Sequence, residues 1–426
     1  MRVMLTQTLA NNSVQKRRYS YWQSAALNLS DRAHSSNWCY ANYTPACSGG
    51  SNMQRIAVVG KEVHVMLGFR GELMKQMVAR GHLVYAFATD YTDETEVYVR
   101  SLGFIPVRYQ LDGYTLNPLH ELKVVWALYR AFKLYKITVS YCYFAKPALY
   151  GTYAAWLAKI PHRVAKLEGL GRPFTQTAGK KSMRLVLAKW FQKRLFKWIL
   201  PKATTLVLLN HDDQQEIAHI CGAKQPKTTL LGGIGVCLDK FAVSEPPISP
   251  VRFIFSGRLL NEKGIRYYLQ AAEQVKRKHP AAEFWVIGLP DALHGISKSE
   301  LNVYIKKNVV NYFGHVDNVT SYLHKSSVFV LPSYYREGLP RSSQEALAIG
   351  RPIITTDAPG CRETVNHGVN GYLVKPHDTH SLIAAMEKLI NNPDLIISMG
   401  RASRQLAETK FNVIEVNERM LEVLGL

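Results

Sequence analysis

Short apolar runs alternate with amphipathic stretches through most of this 426-residue chain, and this alternation limits the folds open to it. The runs that predict strands before residue 244 are 55–60, 83–88, 137–143, 163–168 and 204–209. Those after residue 250 are 252–257, 283–288, 308–314, 327–333 and 352–357. Patterns with a helical period lie between them, as in a parallel sheet covered by helices. The sequence therefore predicts an α/β protein with two Rossmann-like halves that face a cleft.

The pattern changes at two places that predict domain boundaries. Residues 1–52 hold no sustained period, so we predict a disordered or non-native N-terminal extension, with a packed extra element as the alternative. The proline-rich segment SEPPISP at 244–250 predicts a linker between domains at 53–243 and 251–408. Helical patterns near 379–390, 394–408 and 412–424 end the chain, and 409–426 is expected as a helix that could return to the N-terminal domain.

The positive charge of the chain is uneven. The formal net charge is +21, and residues 53–250 hold 27 Lys and Arg against 14 Asp and Glu. Residues 251–426 are nearly balanced, with 21 against 17. This excess predicts an anionic partner for the first half, which could be membrane lipid, phosphate or nucleic acid.

Several sequence features bear on location and on metals. No apolar run reaches the length of about 18 residues that a membrane span needs, and the first residues lack the apolar core of a secretory signal. The six cysteines are scattered without a C-x-x-C pair, which indicates neither a disulfide framework nor a zinc site. These features predict an intracellular protein with reduced thiols.

Two glutamates lie eight positions apart in the stretch REGLPRSSQEALAIGRPIITTD, residues 336–357. Glu337 is predicted in the loop after a strand, and Glu345 one turn into a helix at 341–349 that begins at Pro340 and ends before Gly350. A carboxylate can accept two hydrogen bonds from a vicinal diol such as that of ribose, and the free N–H groups of the helix start favour an anion. Alternatively, Glu345 is a solvated side chain that pairs with another side chain four positions away in the same helix.

A second set of residues follows the strand at 252–257. Gly257 would let a ligand approach the backbone, and Arg258 and Lys263 place two cations at a strand-to-helix turn. Such a pair can bind a diphosphate, although both could equally be solvated surface charges.

These stretches together resemble a known family. FSGRLLNEKG, GHVDNV, VFVLPSYYREGLPRSSQEALAIGRPIITTDAPGCRETV and HGVNGYLV look like the donor domain of the family 4 retaining glycosyltransferases of GT-B fold. GGIGVCLDKF at 232–241 is similar to the segment that leads into that domain. The resemblance covers about residues 54–410 and is strongest at 250–375.

The resemblance implies a donor site. Arg258 and Lys263 would hold the donor diphosphate, Glu345 the ribose and Glu337 the hydroxyls of the transferred sugar. The resemblance also places Gly257 and the backbone of Gly338 and Leu339 at the donor, and the backbone of His315, Val316 and Asp317 at a uracil base. The last residues that it implies at the donor are Gly68, Arg70 and Gly71, in the turn after the first strand. The chain has no D-x-D triplet, so we expect no metal and no cofactor beyond the UDP-sugar substrate.

The acceptor side departs from the family pattern. YCYFAKPALYG (141–151) and KLEGLGRPFT (166–175) resemble the subgroup that builds O-antigen, capsule and related glycans on polyprenyl diphosphate. Lys146, Glu168 and Gly169 would then face the cleft, although Lys146 could be an ordinary surface lysine. Many relatives carry a histidine after the fourth strand, and its absence here leaves the catalytic base unassigned.

The stretch KKSMRLVLAKWFQKRLFKWILPK at 180–202 contains eight basic and no acidic residues. Lys189, Lys193 and Lys197 share one helical face, and Trp190 and Trp198 are interfacial side chains. This composition predicts a helix on an anionic membrane surface, with a domain helix that exposes a solvated basic face as the alternative. No nucleic-acid-binding motif accompanies the charge, so nucleic acid is not a predicted partner.

The sequence thus predicts a retaining, metal-independent hexosyltransferase. It would move a hexose or N-acetylhexosamine from a UDP-sugar to a polyprenyl-diphosphate-linked saccharide, as a peripheral enzyme at the cytoplasmic face of the cell membrane. The alternatives are a UDP-sugar epimerase of GT-B fold and a non-enzymatic binder of nucleotide-sugars or nucleic acid.

Overall fold

The structure is a computed structural model that describes residues 53–111, 118–176 and 182–426. The predicted extension at 1–52 lies outside the described residues. Two parallel β-sheets of seven and six strands form the framework of the described chain. This arrangement confirms the predicted α/β class with two Rossmann-like halves.

The first sheet has the strand order β3-β2-β1-β4-β5-β6-β7, and all adjacent strands in it are parallel. Its strands are β1 (Arg55–Val59), β2 (Leu83–Ala88), β3 (Ile105–Arg108), β4 (Val139–Tyr143), β5 (His162–Lys166), β6 (Thr205–Leu208) and β7 (Lys227–Leu230). Its helices are α1 (Val63–Ala79), α2 (Asp93–Ser101), α3 (Pro118–Leu134), α4 (Ala145–Leu157), α5 (Met183–Ile199) and α6 (His211–Cys221).

The second sheet has the order β10-β9-β8-β11-β12-β13, again parallel throughout. Its strands are β8 (Arg252–Ser256), β9 (Glu283–Ile287), β10 (Asn311–Gly314), β11 (Val328–Leu331), β12 (Ile353–Thr356) and β13 (Gly371–Val374). Its helices are α7 (Ile265–Lys278), α8 (Lys298–Lys306), α9 (Val319–Lys325), α10 (Arg341–Ile349), α11 (Thr379–Asn391), α12 (Pro393–Lys410) and α13 (Val413–Leu424).

The central strands are buried on both faces, which explains their nearly continuous apolar sequences. Ile56, Ala57, Val58 and Val59 of β1 are all fully buried. In each sheet the strand order reverses beside the first strand, so β1 lies next to β4 and β8 lies next to β11. Ligands of open α/β sheets bind in the crevice outside the carboxyl ends of the strands at such a reversal.

All ten predicted strands exist, with ends within three residues of the prediction, and three further strands were not predicted. β3, β7 and β13 have four residues each and lie at the edges of the sheets. β3 contains Pro106, and β7 (KTTL) has no buried residue. A run of only four residues is too short to give a clear periodic signal.

The end of the chain returns to the first sheet. Helix α13 packs against α1 and β5, and an Arg80 Nη2 to Glu418 Oε2 ion pair of 2.6 Å joins it to the residue after α1. Arg80 also donates to the backbone oxygen of Leu426 at 3.0 Å. The predicted domain boundaries at 243, 251 and 408 stay a prediction.

The thiols differ in part from the sequence prediction. Cys142, Cys221 and Cys361 are buried free thiols. Cys237, however, is disulfide-bonded, so the prediction of reduced thiols is wrong at that position. Within the described ranges, no helix combines the length and the hydropathy that crossing a bilayer requires.

Candidate active site

Two loops of the second sheet meet at the carboxyl ends of β8 and β11. After β8, the exposed side chain of Arg258 follows Gly257, and residues Asn261–Lys263 form a single 3₁₀ turn. Gly264 ends that turn with a φ of +81°, and a Cβ there would overlap the carbonyl oxygen of Pro332. Glycine at 264 therefore lets the turn lie directly against the end of β11.

The contact between the loops brings Lys263 and Glu337 together. Lys263 Nζ donates to Glu337 Oε2 at 2.6 Å, and Ser333 Oγ donates to Glu337 Oε1 at 2.7 Å. The two charged side chains are only 15% and 10% exposed. The backbone oxygen of Glu262 accepts from the N–H groups of Tyr334 and Tyr335 at 2.9 and 3.0 Å, which joins the loops a second time. Lys263 and Glu337 thus form a partly buried ion pair where the two loops meet.

Glu345 lies in the second turn of α10, as predicted from the sequence. Arg341, four residues earlier, donates from Nε to Glu345 Oε1 at 3.1 Å and from Nη1 to the backbone oxygen of Gly235 at 2.6 Å. Burial raises the pKa of the Glu345 carboxyl, although the Arg341 charge opposes this. Glu345 therefore pairs with Arg341 of its own helix, as the alternative from the sequence expects. The two side chains are under 20% exposed, however, so this pair is not solvated.

The helix itself follows the predicted bounds closely. It begins at Arg341, so Pro340 occupies the N-cap rather than the first helical position. Gly350 has a φ of +85° and ends the helix in the left-handed conformation, as its sequence position indicates. Leu339 is 7% exposed and fixes the apolar side of the loop before the helix.

The segment assigned to the base follows β10 directly. His315 and Asp317 are exposed, and Val316 packs its side chain against the core between them. Gly314 accepts from the N–H of Gly288 at 2.7 Å, which fixes the end of β10 beside the end of β9. His315 to Asp317 therefore lie at the carboxyl edge of the second sheet, as Arg258 does.

The structure contradicts the predicted position of Gly68, Arg70 and Gly71. These residues lie inside helix α1 rather than in the turn after β1. That turn consists of Gly60, Lys61 and Glu62. Glu62 does not cap the helix with its own side chain, and the first N–H of the helix, that of Val63, donates instead to Asp90 Oδ1 at 2.8 Å, so the local sequence carries no start signal at this point.

Arg70 and Glu168 form a buried ion pair next to the cleft. Their side chains are 2% and 9% exposed, and Lys166 Nζ lies 3.4 Å from the same carboxylate oxygen. The Arg70 guanidinium also stacks 3.5 Å from the centre of the Tyr143 ring. Burial acts to raise the pKa of Glu168, but Arg70 and Lys166 outweigh it and lower that pKa. Glu168 is therefore a carboxylate held by two cations.

Gly169, the next residue, touches the loop that carries Glu337. A Cβ at Gly169 would lie 2.5 Å from the backbone nitrogen of Gly338. Lys146, in contrast, lies in the first turn of α4, where its Nζ is 2.9 Å from Glu121 Oε1 of α3. The predicted acceptor residues thus separate into Glu168 and Gly169, beside the loop that carries Glu337, and Lys146, which pairs with a neighbouring helix.

Two of the lysines predicted at a membrane surface on helix α5 contact neighbouring elements. Lys193 Nζ pairs with Glu216 Oε1 of α6 at 2.9 Å, and Lys189 Nζ lies 4.8 Å from the centre of the Phe174 ring. Both lysines thus face neighbouring elements, whereas Lys197 is exposed. The large apolar side chains of α5 with more than 40% exposure are Met183, Val186, Leu187, Trp190, Phe191 and Trp198.

Three functional candidates were missed by sequence reasoning. Asn210 and Asp213, at the start of α6, contact the loop that carries Glu337, and Arg336 of that loop pairs with Asp213. Polar residues that follow the apolar strand β6 were a possible signal. Among the described residues, no group of three or more His, Cys, Asp or Glu side chains is arranged to hold a metal ion.

The fold and the position of this site define a class of protein. Two parallel α/β units of this kind also occur in solved structures. Sucrose-phosphate synthase of Thermosynechococcus elongatus superposes with a TM-score of 0.67 at 20% identity, covering 87% of this chain and 98% of that chain. HepE of Anabaena in complex with UDP gives a TM-score of 0.68 at 15% identity, covering 88% and 100%. The chain has the GT-B fold.

Sequence relatives make the class more specific. Residues 239–406 match the family model of the group 1 glycosyl transferases. The N,N'-diacetylbacillosaminyl-diphospho-undecaprenol alpha-1,3-N-acetylgalactosaminyltransferase of Campylobacter jejuni is 25% identical over 79% of this chain and 89% of its own length. The UDP-Gal:alpha-D-GlcNAc-diphosphoundecaprenol alpha-1,3-galactosyltransferase of Escherichia coli is 26% identical over 77% and 83%. The chain contains a group 1 glycosyl transferase domain, and its relatives include bacterial surface-glycan glycosyltransferases, as the predicted resemblance expects.

Proposed function

We propose that this protein is a retaining, metal-independent glycosyltransferase of family 4. It transfers a hexose or N-acetylhexosamine from a UDP-sugar to a saccharide on polyprenyl diphosphate, in the synthesis of a surface polysaccharide. The observation that carries the proposal is the Lys263–Glu337 pair at the carboxyl end of β11. The names of the two undecaprenyl-linked relatives support the choice of acceptor.

In this proposal Lys263 and Glu337 bind different parts of the donor. Lys263, with the exposed Arg258 at the end of β8, offsets the charge of the UDP diphosphate as it leaves the sugar. The Glu337 carboxylate accepts hydrogen bonds from hydroxyls of the transferred sugar, and Ser333 holds that carboxylate in place. Glu345 accepts the ribose hydroxyls, and the backbone at His315 to Asp317 contacts the base.

Metal independence follows in this proposal from the two cations. Arg258 and Lys263 supply the positive charge that a divalent ion would supply, and the sequence has no D-x-D triplet to bind such an ion. Retention of the anomeric configuration in a single step requires attack from the face that the leaving diphosphate occupies, and the acceptor oxygen then bonds to the anomeric carbon as its bond to the diphosphate oxygen breaks. No histidine is available after β4, so the base in this proposal is an oxygen of the departing phosphate.

The acceptor would reach this site from a membrane surface. Trp190 and Trp198 of α5 are 58% and 52% exposed, and Trp156 of α4 is 43% exposed. Tyr153 stacks on Trp156 and also contacts Trp198, so side chains of α4 and α5 form one aromatic surface. Exposed tryptophans among arginines and lysines are typical of helices that lie at a lipid headgroup layer. We therefore propose a peripheral protein at the cytoplasmic face of the membrane.

The test is UDP release from a panel of UDP-sugars, with and without undecaprenyl-diphosphate-linked saccharides. We expect release from one donor only when an acceptor is present, with little change in EDTA, and a product whose anomeric proton couples as in the donor. Isomerised UDP-sugar without acceptor would indicate the epimerase instead. Failure to release UDP and to bind it in calorimetry would overturn the donor site.

A further inference from the structure

The loop that carries Glu337 is held from the opposite sheet by the side chain of Asn210. This residue is fully buried at the start of α6, where its Oδ1 caps the helix by accepting from the N–H of Asp213 at 2.8 Å. Its Nδ2 donates to the backbone oxygens of Glu337 at 3.0 Å and Gly338 at 2.7 Å. One amide group thus joins a helix of the first sheet to the donor loop of the second.

A charge pair joins the same two elements. Arg336, the residue before Glu337, donates from Nε to Asp213 Oδ1 at 2.7 Å and from Nη2 to the backbone oxygen of Asp212 at 2.9 Å. Asp213 is 1% exposed, and burial raises its pKa to about 6 although Arg336 opposes this. Buried ion pairs generally contribute little net stability compared with apolar residues of the same size. Stability alone is therefore a weak reason for a charge pair at this position.

The backbone of the loop makes further hydrogen bonds to the segment that follows β5 of the first sheet. The N–H of Gly171 donates to the Arg336 oxygen at 3.1 Å, and the Arg336 N–H donates to Thr175 Oγ1 at 3.0 Å. With the two bonds from Asn210, four of the six backbone polar groups of residues 336–338 are bonded across the cleft. The position of the Glu337 backbone thus depends on elements outside its own sheet.

We propose that Asn210, Asp213 and Arg336 are positioning residues of the transfer reaction. They fix the donor loop from the first sheet's side, so that the Glu337 carboxylate meets the sugar in a reactive orientation only while the two units are in contact. The inference rests on the proposed function, because it takes Glu337 as the group that binds the transferred sugar. Nucleotide binding then uses residues of the second sheet alone, whereas turnover requires both units.

Two variants weaken the link between the two units with little change in shape. Asp213→Asn keeps the size of the side chain and removes its charge. Asn210→Ser keeps a good helix cap but has no NH₂ group to reach the two loop carbonyls. The matched control is Glu418→Gln, which removes the Arg80–Glu418 pair between α13 and the end of α1, a contact that does not involve the loop with Glu337.

We expect both variants to lower kcat at least tenfold at saturating donor, because small misplacements of a reacting group cost about a hundredfold in rate. The KM for the donor and the calorimetric affinity for UDP should stay within about threefold of the full-length wild type, because this nucleotide contacts the second sheet. Glu418→Gln should leave all three unchanged. Asp213→Arg combined with Arg336→Asp should regain part of the rate that Asp213→Arg alone loses.

A second measurement does not need catalysis. Amide hydrogen exchange in a peptide covering 333–340 should accelerate in Asp213→Asn and Asn210→Ser, while peptides from β8 and α7 stay protected. Unchanged exchange and unchanged kcat would overturn the proposal, and so would a joint loss of kcat, UDP affinity and melting temperature in both variants. If the wild type fails to turn over any donor, the proposed function fails, and the exchange result still decides whether these residues fix the loop.

Discussion

Gly169 and Gly338 pack against each other from opposite sides of the cleft, so closely that neither position has room for a side chain. A Cβ at Gly169 would lie 2.5 Å from the nitrogen of Gly338, and a Cβ at Gly338 would lie 2.6 Å from the carbonyl carbon of Glu168. Gly169 also has a φ of +97°, a conformation that glycine adopts readily. These two residues thus set the distance between the acceptor-side segment and the donor loop.

Gly169→Ala should therefore push the donor loop away and lower turnover. Gly171→Ala is the matched comparison, because its φ of +76° is similar but its Cβ would meet only the hydroxyl of Tyr335, at 3.3 Å. Both variants carry a backbone strain of about 1–2 kcal/mol, so a difference between them reports the contact. We expect kcat to fall at least tenfold more in Gly169→Ala, measured by UDP release. Equal losses in the two variants would contradict this.

Removal of Lys263 should affect both the leaving group and Glu337. Lys263→Ala leaves a carboxylate that is 10% exposed with Ser333 as its remaining side-chain partner in the described chain. We expect kcat/KM to fall at least a hundredfold, which corresponds to about 3 kcal/mol of lost transition-state stabilisation. Glu337→Gln should lower kcat more than UDP affinity, since the side chain is proposed to contact the sugar. Circular dichroism would check that both variants stay folded, and near-wild-type rates in both would remove this pair from the site.

Glu168 should make stability depend on pH on the acidic side. Arg70 and Lys166 hold the pKa of Glu168 below its ordinary value, so its contribution is fully present above about pH 4.5 and is lost as the pH falls through the lowered folded-state pKa. Glu168→Gln leaves the buried Arg70 charge without its carboxylate, which we expect to cost about 3 kcal/mol at pH 7. Urea unfolding between pH 3.5 and 7 would measure this.

The difference between Glu168→Gln and wild type should shrink as the pH falls below about 4.5, because the unfolded wild-type chain then binds a proton that the folded carboxylate binds only at lower pH. The control is Glu422→Gln on the exposed side of α13, which should change unfolding by less than about 0.5 kcal/mol. A difference that is constant from pH 3.5 to 7 would mean that the Glu168 charge does not stabilise the fold.

The exposed tryptophans should determine membrane binding more than the paired lysines. We expect the double variant Trp190→Ser, Trp198→Ser to lose most of its sedimentation with phosphatidylglycerol vesicles, because it removes the interfacial rings from α5. Lys189→Ala with Lys193→Ala should have a smaller effect, since Lys193 already pairs with Glu216. Salt should weaken binding of the wild type.

A control for surface hydrophobicity is available on the second sheet's side. Leu293 and Val369 are 86% and 58% exposed, and Leu293→Ser with Val369→Ser should leave vesicle binding unchanged. If the tryptophan variant binds as the wild type does, the membrane surface lies elsewhere or does not exist.

Much of the donor site was predictable from the sequence because its geometry is local. An apolar run ends, a loop delivers Glu337, and a helix with a glycine at its end places Glu345 on its second turn. The alternation of strands and helices places such loops at one edge of a parallel sheet, so Arg258 and Lys263 were expected near them. The predicted helix at 341–349 has the same bounds as α10.

The position of Gly68 to Gly71 was not predictable, because two glycines close together are typical of a turn and the N-cap residue of helix α1, Glu62, supplies no capping side chain. Burial of one face against the first sheet stabilises this helix in spite of its glycines. The contacts of the α5 lysines were not predictable for a related reason. Lys193 points to Glu216, a residue of another helix, and spacing along a single helix cannot identify such a partner.

The sequence by itself determined the two-sheet framework, the donor loop with Glu337 and Glu345, and the basic and aromatic composition of α5, because each depends on neighbours a few residues apart. Only the tertiary structure decided which groups hold that loop. Asn210 is 127 positions before Glu337, and Asp213 is 123 before Arg336. No periodicity links residues so far apart, and the packing of the two sheets alone brings them into contact.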